Sequence, residues 1–256
     1  MLLNKPKVSL ISVSKDPLFS MAFAAKLCYF KGDNIEELQR SLENNIEEQE
    51  RILKHCIEHR HLSVLEHSFF MFAIEGVGRN FTHQLVRHRN TSFEQQSLHF
   101  TTAKTCNVAA PIGINDTNKN IMLDTANTCF EAYNYLIDSG MAKEDARQIL
   151  PSGIETKIVA SANLRQWQHF IRLRECRVNC EEIQIVATQI RTHIQKVLPF
   201  MSEYLGPNCK LHGICIEGKK FCGTPMSLPL VLKEGAKKLS IISNIEELKS
   251  YGKRIK

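Results

Sequence analysis

The feature that most limits the fold of this chain is the wide spacing of a few strand-like stretches. Residues 7–13 and 156–162 alternate polar and apolar side chains, and residues 69–76 form a short apolar run that Gly76 closes. Most of the remaining chain repeats its apolar residues at helical spacing. Because so few and distant strands can build only a small sheet, we expect one α+β domain, with a small antiparallel or mixed sheet wrapped by long helices.

The helical segments have recognisable starts and ends. Asn34 and Glu37 have the spacing of a capping box, and apolar residues then recur on one face as far as Ile57. This pattern predicts a single long amphipathic helix that ends near residues 58–61. Further helices are predicted over residues 79–89, 118–138 and 183–197, from Leu164 onward, and over a short segment ending at Leu150.

Composition and charge narrow the classes of function. The 256 residues are 43% hydrophobic and 23% charged, as in ordinary globular domains. The first residues lack the apolar core of a secretory signal and no window approaches a membrane span, so we expect a cytoplasmic protein with no membrane partner. Residues 216–256 hold nine Lys or Arg and four Asp or Glu out of a net charge of +6, which leaves the body nearly neutral. This distribution argues against a nucleic-acid partner and indicates a basic tail.

The nine cysteines are an odd number without a secretory signal, so we expect reduced thiols rather than a disulfide framework. Cys209, His212, Cys215 and Cys222 are residue types that bind zinc, but their spacings lack a Cys-x-x-Cys pair. We therefore expect no metal site, with a zinc ion at these residues as the alternative.

A basic stretch centred on residues 84–89 carries the first candidate site. At helical spacing, Gln84, Arg87 and His88 share one face, where an amide, a guanidinium and an imidazole suit a phosphate and the edge of a heterocycle. Arg89 points elsewhere and can serve a second anion. The alternative is a helix end whose basic residues complement the helix dipole.

Two further stretches concentrate polar residues. His61, Ser63, Glu66 and His67 precede the apolar strand, where a polar helix–strand corner is the simplest interpretation and a metal site the alternative. Residues 146–174 interleave basic residues with core positions. Arg174 is singled out because a buried guanidinium near Trp167 and Phe170 is costly without an anion. The alternative for Arg174 is a structural salt bridge to Glu181 or Glu182.

Together these stretches resemble one family in order and spacing, the flavin-dependent thymidylate synthases (ThyX). Its motif Arg-His-Arg-x-x-Ser-x-Asn-x-x-Ser-x-Arg is matched at five of seven fixed positions, by Arg87, His88, Arg89, Ser92 and Ser97. Glu94 replaces the motif's Asn and His99 its last Arg, and "NCEEI" (179–183) replaces Ala-Gln-Trp-Glu-Ile. The segments "HLSVLEH", "ARQILP", "NLRQWQHF" and "GPNC…GIC…EGKKFCG" are also similar to the family, so the likeness covers roughly residues 7–223.

The resemblance implies an activity and its cofactors. Family members transfer a one-carbon unit from 5,10-methylenetetrahydrofolate to C5 of dUMP, with FAD as cofactor and NADPH as reductant, and they are homotetramers with shared active sites. It also implies that residues 1–223 form the flavin- and nucleotide-binding catalytic domain, followed by a basic tail over residues 224–256. The absence of a cysteine in a nucleophile context agrees with a flavin route.

The resemblance also assigns residues. The residues implied to act in catalysis are Arg174, which stabilises the ionised pyrimidine, and His61. Those implied to hold FAD are Ser63, Glu66, Arg87, His88, Arg89, Asn163, Arg165 and His169. Those implied to line the nucleotide are Gln84, Arg87, Gln95, Gln96, Ser97, Leu98, His99, Arg147 and Arg174.

Three alternatives remain open. Glu94 and His99 motivate C5-methylation of another pyrimidine nucleotide such as UMP, because a mostly neutral histidine cannot grip phosphate as arginine does. A nucleic-acid-binding module with a zinc-stabilised tail is a different class. The third alternative is an inactive homologue. Burying charged side chains lowers stability, however, and an inactive protein has no evident need for them.

Overall fold

The computed structural model describes residues 2–3, 5–101, 103, 105–111, 113–212, 215, 217 and 222. The predicted basic tail over residues 224–256 lies outside the described residues. The strands of the described residues are β1 (Leu2–Leu3), β2 (Lys7–Val13), β3 (Phe69–Gly78), β4 (Ser92–Gln95), β5 (Val108–Ala109) and β6 (Glu155–Asn163). The α-helices are α1 (Pro17–Leu27), α2 (Ile35–Leu42), α3 (Ile46–Glu58), α4 (Arg79–Leu85), α5 (Asp116–Asp138), α6 (Lys143–Ala146), α7 (Leu164–Arg174), α8 (Glu181–Val197) and α9 (Asn208–His212). Short 3-10 helices cover Leu62–His67, Arg147–Ile149 and Pro199–Glu203.

The predicted small sheet is confirmed. Four strands pair antiparallel in the order β2-β3-β6-β4, and β1 and β5 form a separate two-stranded parallel ladder. All three predicted strands belong to the four-stranded sheet, and β4 joins β6 at its edge. The sequence prediction missed β4, because its four residues alternate within a polar run that carries no strand composition of its own.

Strand alternation gives the sheet one buried and one outward face. In β3, Phe70, Phe72 and Ile74 are buried, and Ile158 and Ala160 of β6 lie opposite two of them. Helices α1, α3, α7 and α8 build one core cluster with these residues. The prediction of an α+β fold is thus confirmed, with these four helices against the buried face of the sheet.

The prediction of a single long helix from Asn34 to about residue 58 is wrong. Asn34 does cap the first helix, since its side chain accepts a hydrogen bond from the Glu37 N–H at 2.9 Å. The chain then breaks between α2 and α3, where Asn44 has a φ of 57° and Asn45 caps the second helix through the Glu48 N–H. Asparagine tolerates the left-handed conformation and makes a good N-cap, so two adjacent asparagines stop one helix and start another.

The prediction that Gln84, Arg87 and His88 share a helical face is also wrong. Gln84 lies in α4, but Arg87 and His88 lie beyond the end of that helix. Helix α4 ends at Leu85, and the chain turns so that the His88 N–H bonds to the Leu85 carbonyl at 3.1 Å. The turn buries His88 against Phe170 of α7, with ring centroids 5.0 Å apart. The other predicted helices are present as α5, α6, α7 and α8. No helix in the described ranges is both long and apolar enough to span a membrane.

Candidate active site

The centre of the candidate site is the side chain of Arg174, the last residue of α7. Its Nε donates to Nε2 of His88 at 3.1 Å, and its two terminal nitrogens donate to Asn179 Oδ1 at 3.3 Å and to the Gln84 carbonyl at 3.4 Å. None of these acceptors is a carboxylate. The salt bridge to Glu181 or Glu182, the alternative for Arg174, is therefore not what holds this guanidinium.

His88 is held in its neutral form. Its side chain is buried and packs edge-on against Phe170 and, at 5.8 Å, against His169. Burial, together with the positive charge of Arg174 and the neighbouring His169, lowers the pKa of His88 to about 4. A neutral imidazole that accepts from Arg174 at Nε2 must carry its proton on Nδ1. The positive charge of the pair thus stays on Arg174.

Two adjoining clefts open beside this pair. The smaller, of about 300 Å³, contains the whole Arg87–Arg89 triplet together with Arg174. The larger, of about 730 Å³, contains Glu66, Asn163, Arg165 and Arg172. Asn90, Gln166 and His169 line both. The structure therefore brings together seven of the eight residues implied to hold FAD.

The larger cleft has the character of an anion site. Arg165 is paired with Glu66 at 2.5 Å, and the side chain of Asn163 caps α7 through the Gln166 N–H at 2.9 Å. Arg172 has a buried Nε with no hydrogen-bond partner. Arg172 lies seven residues after Arg165 and three after His169, so all three share one face of α7. This spacing is the sequence signal that makes Arg172 a candidate site residue.

A third cleft, of about 1000 Å³, lies on the other side of Gln84. It is lined by Asn80 and Gln84 of α4, by residues 109–111, and by residues before and at the start of α8, including Asn179, Cys180 and Glu182. The Gln84 amide donates to Cys180 Sγ at 3.4 Å. Glu182 accepts from the Gly78 N–H at 2.8 Å, and burial raises the pKa of its carboxyl. Sequence reasoning did not assign this cleft because its walls come from segments far apart in the chain.

Residues 95–99, which the resemblance implies to line the nucleotide, lie in and after β4, apart from the Arg174–His88 pair. Gln95 donates to Thr156 Oγ1 at 3.1 Å, and Ser97 Oγ accepts from the His99 N–H at 3.1 Å. His99 pairs through Nδ1 with Glu144 at 2.5 Å. Leu98 is buried in a small apolar cluster with Val108, Ala126 and Ile154. Within the described parts of one chain, no hydrogen bond joins this segment to Arg174.

His61, which the resemblance implies in catalysis, and Ser63, which it implies in FAD binding, both lie outside these clefts. His61 and Ser63 are exposed at the start of the 3-10 helix Leu62–His67, and neither lines the two clefts beside Arg174. The His61 N–H donates to the Cys56 carbonyl at 2.8 Å, as expected for a helix–strand corner. Among the residues that the structure describes, which include Cys209, His212, Cys215 and Cys222, no group of three or more His, Cys, Asp or Glu side chains is arranged to hold a metal ion.

Comparison with known proteins gives a consistent result. The family model described as thymidylate synthase complementing protein matches residues 9–200. A flavin-dependent thymidylate synthase from Geobacter sulfurreducens is 34% identical over 232 residues, covering 89% of this chain and 98% of the relative. One from Sulfolobus acidocaldarius is 37% identical over 212 residues, covering 80% and 79%.

The same fold occurs in a solved structure, a UMP/dUMP methylase from Streptomyces cacaoi bound with 5-Br dUMP. The two align with a TM-score of 0.70 at 24% identity, covering 79% of this chain and 95% of that one. The match over most of the chain, the identities above 30% and the Arg-His-Arg cleft agree, and the chain belongs to the family of flavin-dependent thymidylate synthases.

Proposed function

We propose that this chain methylates C5 of dUMP to give dTMP, with 5,10-methylenetetrahydrofolate as the one-carbon donor, NADPH as reductant and FAD as cofactor. The observation that carries the proposal is the Arg174 guanidinium, which is held by neutral acceptors at the edge of the cleft that contains Arg87–Arg89. An arginine with no carboxylate among its hydrogen-bond partners keeps its full charge for a bound ligand.

Arg174 has a role that this charge explains. C5 of a uracil ring is a poor nucleophile until negative charge develops on the ring. A fixed guanidinium beside the ring stabilises that charge as it forms, and it needs no reorganisation because His88, Asn179 and the Gln84 carbonyl already orient it. Because burial keeps His88 neutral, the imidazole orients the arginine without adding a second positive charge.

The larger cleft fits the phosphate groups of FAD. Arg165 and Arg172 supply charge, Arg172 has a buried Nε without a partner, and Gln166, Gln168 and Asn163 add polar groups. When bound, FAD supplies the redox chemistry that takes a hydride from NADPH and reduces the transferred carbon. Arg87 and Arg89 line the adjoining smaller cleft and extend the positively charged surface toward Arg174.

A homotetramer with shared active sites completes the proposal, and two features support it. The outward face of the sheet carries Ile11 and Phe69, which are 54% and 56% exposed in the single chain. Contact with a neighbouring copy would cover these two large apolar side chains. In addition, the Gln95–His99 segment makes no hydrogen bond to Arg174 within the described parts of one chain, as expected where neighbouring copies complete each other's sites. We place the enzyme in the cytoplasm.

The test is a set of spectra and turnover assays on the purified full chain. We expect a yellow protein whose flavin absorbance bleaches when NADPH is added anaerobically. We also expect dTMP to form from dUMP and the folate donor, measured by mass spectrometry. The Arg174→Ala variant should keep the flavin spectrum and lose dTMP formation. A protein that stays colourless after FAD is added, or an Arg174→Ala variant with unchanged turnover, would contradict the proposal.

UMP is the second candidate substrate, because His99 and Glu94 depart from the family motif and His99 is engaged by Glu144. Parallel assays with dUMP and UMP decide between them. A clear preference for UMP in kcat/KM would overturn the assignment of dUMP. If His99 only weakens the grip on phosphate, His99→Arg should lower the KM for dUMP without changing the preferred nucleotide.

A further inference from the structure

The turn between α7 and α8 is held together by the side chain of Asn179. Its Nδ2 donates to the Leu173 carbonyl at 2.8 Å and to the Cys176 carbonyl at 2.9 Å. Leu173 lies in the last turn of α7, where the carbonyls have no partner within the helix. The Asn179 amide therefore caps the end of α7 from the turn that follows it.

These hydrogen bonds allow the Asn179 amide only one orientation. The carbonyls of Leu173 and Cys176 can only accept, so both Nδ2 hydrogens point toward them. The amide oxygen points toward Arg174, whose terminal nitrogen donates to it at 3.3 Å. A guanidinium can only donate, so exchanging the oxygen and nitrogen of the amide would break all three hydrogen bonds. The end of α7 thus sets the position of the oxygen that Arg174 contacts.

The backbone of Asn179 is fixed as well. Its N–H donates to the Cys176 carbonyl at 3.1 Å, and its carbonyl accepts from the side-chain amide of Gln184 at 2.7 Å. Gln184 lies near the start of α8, and Asn179 itself is partly buried. Because backbone and side chain are both tied down, the acceptor offered to Arg174 is in place before any ligand binds.

This contact is a feature of the present chain rather than of the family motif. Asn179 stands where the motif Ala-Gln-Trp-Glu-Ile has its alanine. A methyl group can neither accept from a guanidinium nor donate to the carbonyls at a helix end. Arg174 has three acceptors in the described part of the chain. Two of them, Gln84 and His88, lie in α4 and the turn after it, whereas Asn179 precedes α8. Asn179 therefore ties the guanidinium to a second part of the fold.

We propose that Asn179 is a positioning residue for the methyl transfer, whose amide oxygen holds the Arg174 guanidinium in the direction that stabilises negative charge on the pyrimidine ring. This inference rests on the proposed function. An amide is a neutral acceptor, so it orients the guanidinium without pairing with its charge as a carboxylate does. The ring carries that charge in the transition state more than in the bound substrate. The contribution of Asn179 therefore belongs to kcat rather than to KM.

The experiment measures steady-state kcat and KM of the FAD-loaded full chain with dUMP, or with UMP if the wild type prefers it. We expect Asn179→Ala to lower kcat about tenfold, as for the loss of one hydrogen bond, and to leave KM and the rate of flavin reduction by NADPH within twofold. Asn179→Asp should lower kcat further, because its carboxylate pairs with the Arg174 charge. Val178→Ala is the matched control, since Val178 lies in the same turn and is 39% exposed, and it should behave as the wild type.

Gln184→Ala separates positioning from rigidity of the turn. It removes the hydrogen bond to the Asn179 backbone and leaves the amide of Asn179 in place, so kcat should stay within threefold of the wild type. Equal losses of kcat in Gln184→Ala and Asn179→Ala would overturn the inference, because they would show that only a rigid turn is needed. A rise in KM at unchanged kcat would overturn it too.

Crystal structures of the wild type and Asn179→Ala give a measurement that does not depend on turnover. The Arg174 guanidinium should leave its wild-type position in the variant, and an unmoved guanidinium would contradict the inference. If Asn179→Ala does not fold, Asn179→Asp decides alone, and a kcat equal to that of the wild type contradicts the inference. A wild type that converts neither dUMP nor UMP would contradict the proposed function, and the two crystal structures would still show whether Asn179 holds Arg174 in place.

Discussion

Arg174 Nε and His88 Nε2 lie 3.1 Å apart, so a residue at the end of α7 and one that follows α4 share a hydrogen bond across 86 positions of the chain. The contact joins the Arg-His-Arg motif to the arginine singled out from its apolar neighbours. It makes the imidazole an acceptor and leaves the charge on the guanidinium. The position of Arg174 therefore depends on the fold of the motif.

The first prediction concerns Arg174→Lys. A lysine ammonium keeps the charge but is a point charge on a flexible stem, and it cannot reach His88, Asn179 and the Gln84 carbonyl in the planar arrangement of a guanidinium. We expect kcat to fall by about 100-fold or more, the size typical for loss of one preorganised electrostatic group. The assay is the steady-state rate of dTMP formation at saturating substrate concentrations.

The control for that variant is the flavin itself. Absorbance of bound FAD and its reduction by NADPH should match the wild type, because Arg174 lies outside the larger cleft. Turnover within threefold of the wild type would show that charge alone is sufficient and that the orientation imposed by His88 has no catalytic role.

The second prediction is a pH dependence of stability. The pKa of His88 is about 4 in the folded chain against 6.5 for an ordinary histidine, so between these values the unfolded chain binds more protons. Stability from His88 is thus fully present above pH 6.5 and is lost as the pH falls toward 4. The size of this contribution is about 3 kcal/mol. Urea unfolding of the wild type and His88→Asn at several pH values measures it.

The difference in unfolding free energy between the wild type and His88→Asn reports on His88 alone, because the carboxylates that titrate in the same pH range are common to both proteins. We expect the free-energy gap between them to narrow as the pH drops from 6.5 to 4.5. A gap that stays constant over this range would show that the imidazole titrates normally, as an exposed ring does.

Local sequence patterns predicted most of the fold, and they singled out Arg174 and the Arg87–Arg89 triplet, which line one cleft. Alternation in residues 7–13 and 156–162 identified two strands correctly, because the sheet buries one face and leaves the other outward. The break at Asn44 was missed because the apolar periodicity continues across it, and only the capping role of Asn45 reveals it. Spacing alone could not show that Arg174 bonds to His88, since that contact depends on how the turn after α4 packs against α7.

The third prediction separates the two members of the Arg165–Glu66 pair. Both side chains are about half exposed, so the ion pair adds little to stability, and neither Arg165→Gln nor Glu66→Gln should lower the melting temperature noticeably. Arg165→Gln should weaken FAD about tenfold, because it removes a guanidinium that faces the larger cleft. Glu66→Gln should bind FAD as tightly as the wild type or more tightly, since it releases Arg165. Equilibrium dialysis gives the dissociation constant of FAD for each variant. An equal loss of FAD affinity in the two variants would contradict a phosphate role for Arg165.

The last prediction concerns the ion pair between Glu175 and Arg191, which fixes the end of α7 to α8. Arg191 donates to both Glu175 oxygens, at 2.9 and 3.1 Å through Nε, and Thr188 adds a hydrogen bond at 3.1 Å. The Glu175 side chain is 4% exposed. Removing the arginine leaves a buried carboxylate without its counter-ion, so we expect Arg191→Met to lower the free energy of unfolding by about 3 kcal/mol.

Glu175→Gln should cost less, because the amide oxygen still accepts from Thr188 and Arg191. Arg51→Gln is the matched control, since Arg51 forms an exposed pair with Glu48 within one helix and should leave stability unchanged. Urea unfolding measures the free energies of unfolding of Arg191→Met, Glu175→Gln and Arg51→Gln. All are measured at one protein concentration, because assembly of subunits also contributes to stability.

Glu175 directly follows Arg174, so Arg191→Met should also reduce kcat at temperatures where the enzyme remains folded. An unchanged kcat would show that α7 holds Arg174 without help from α8.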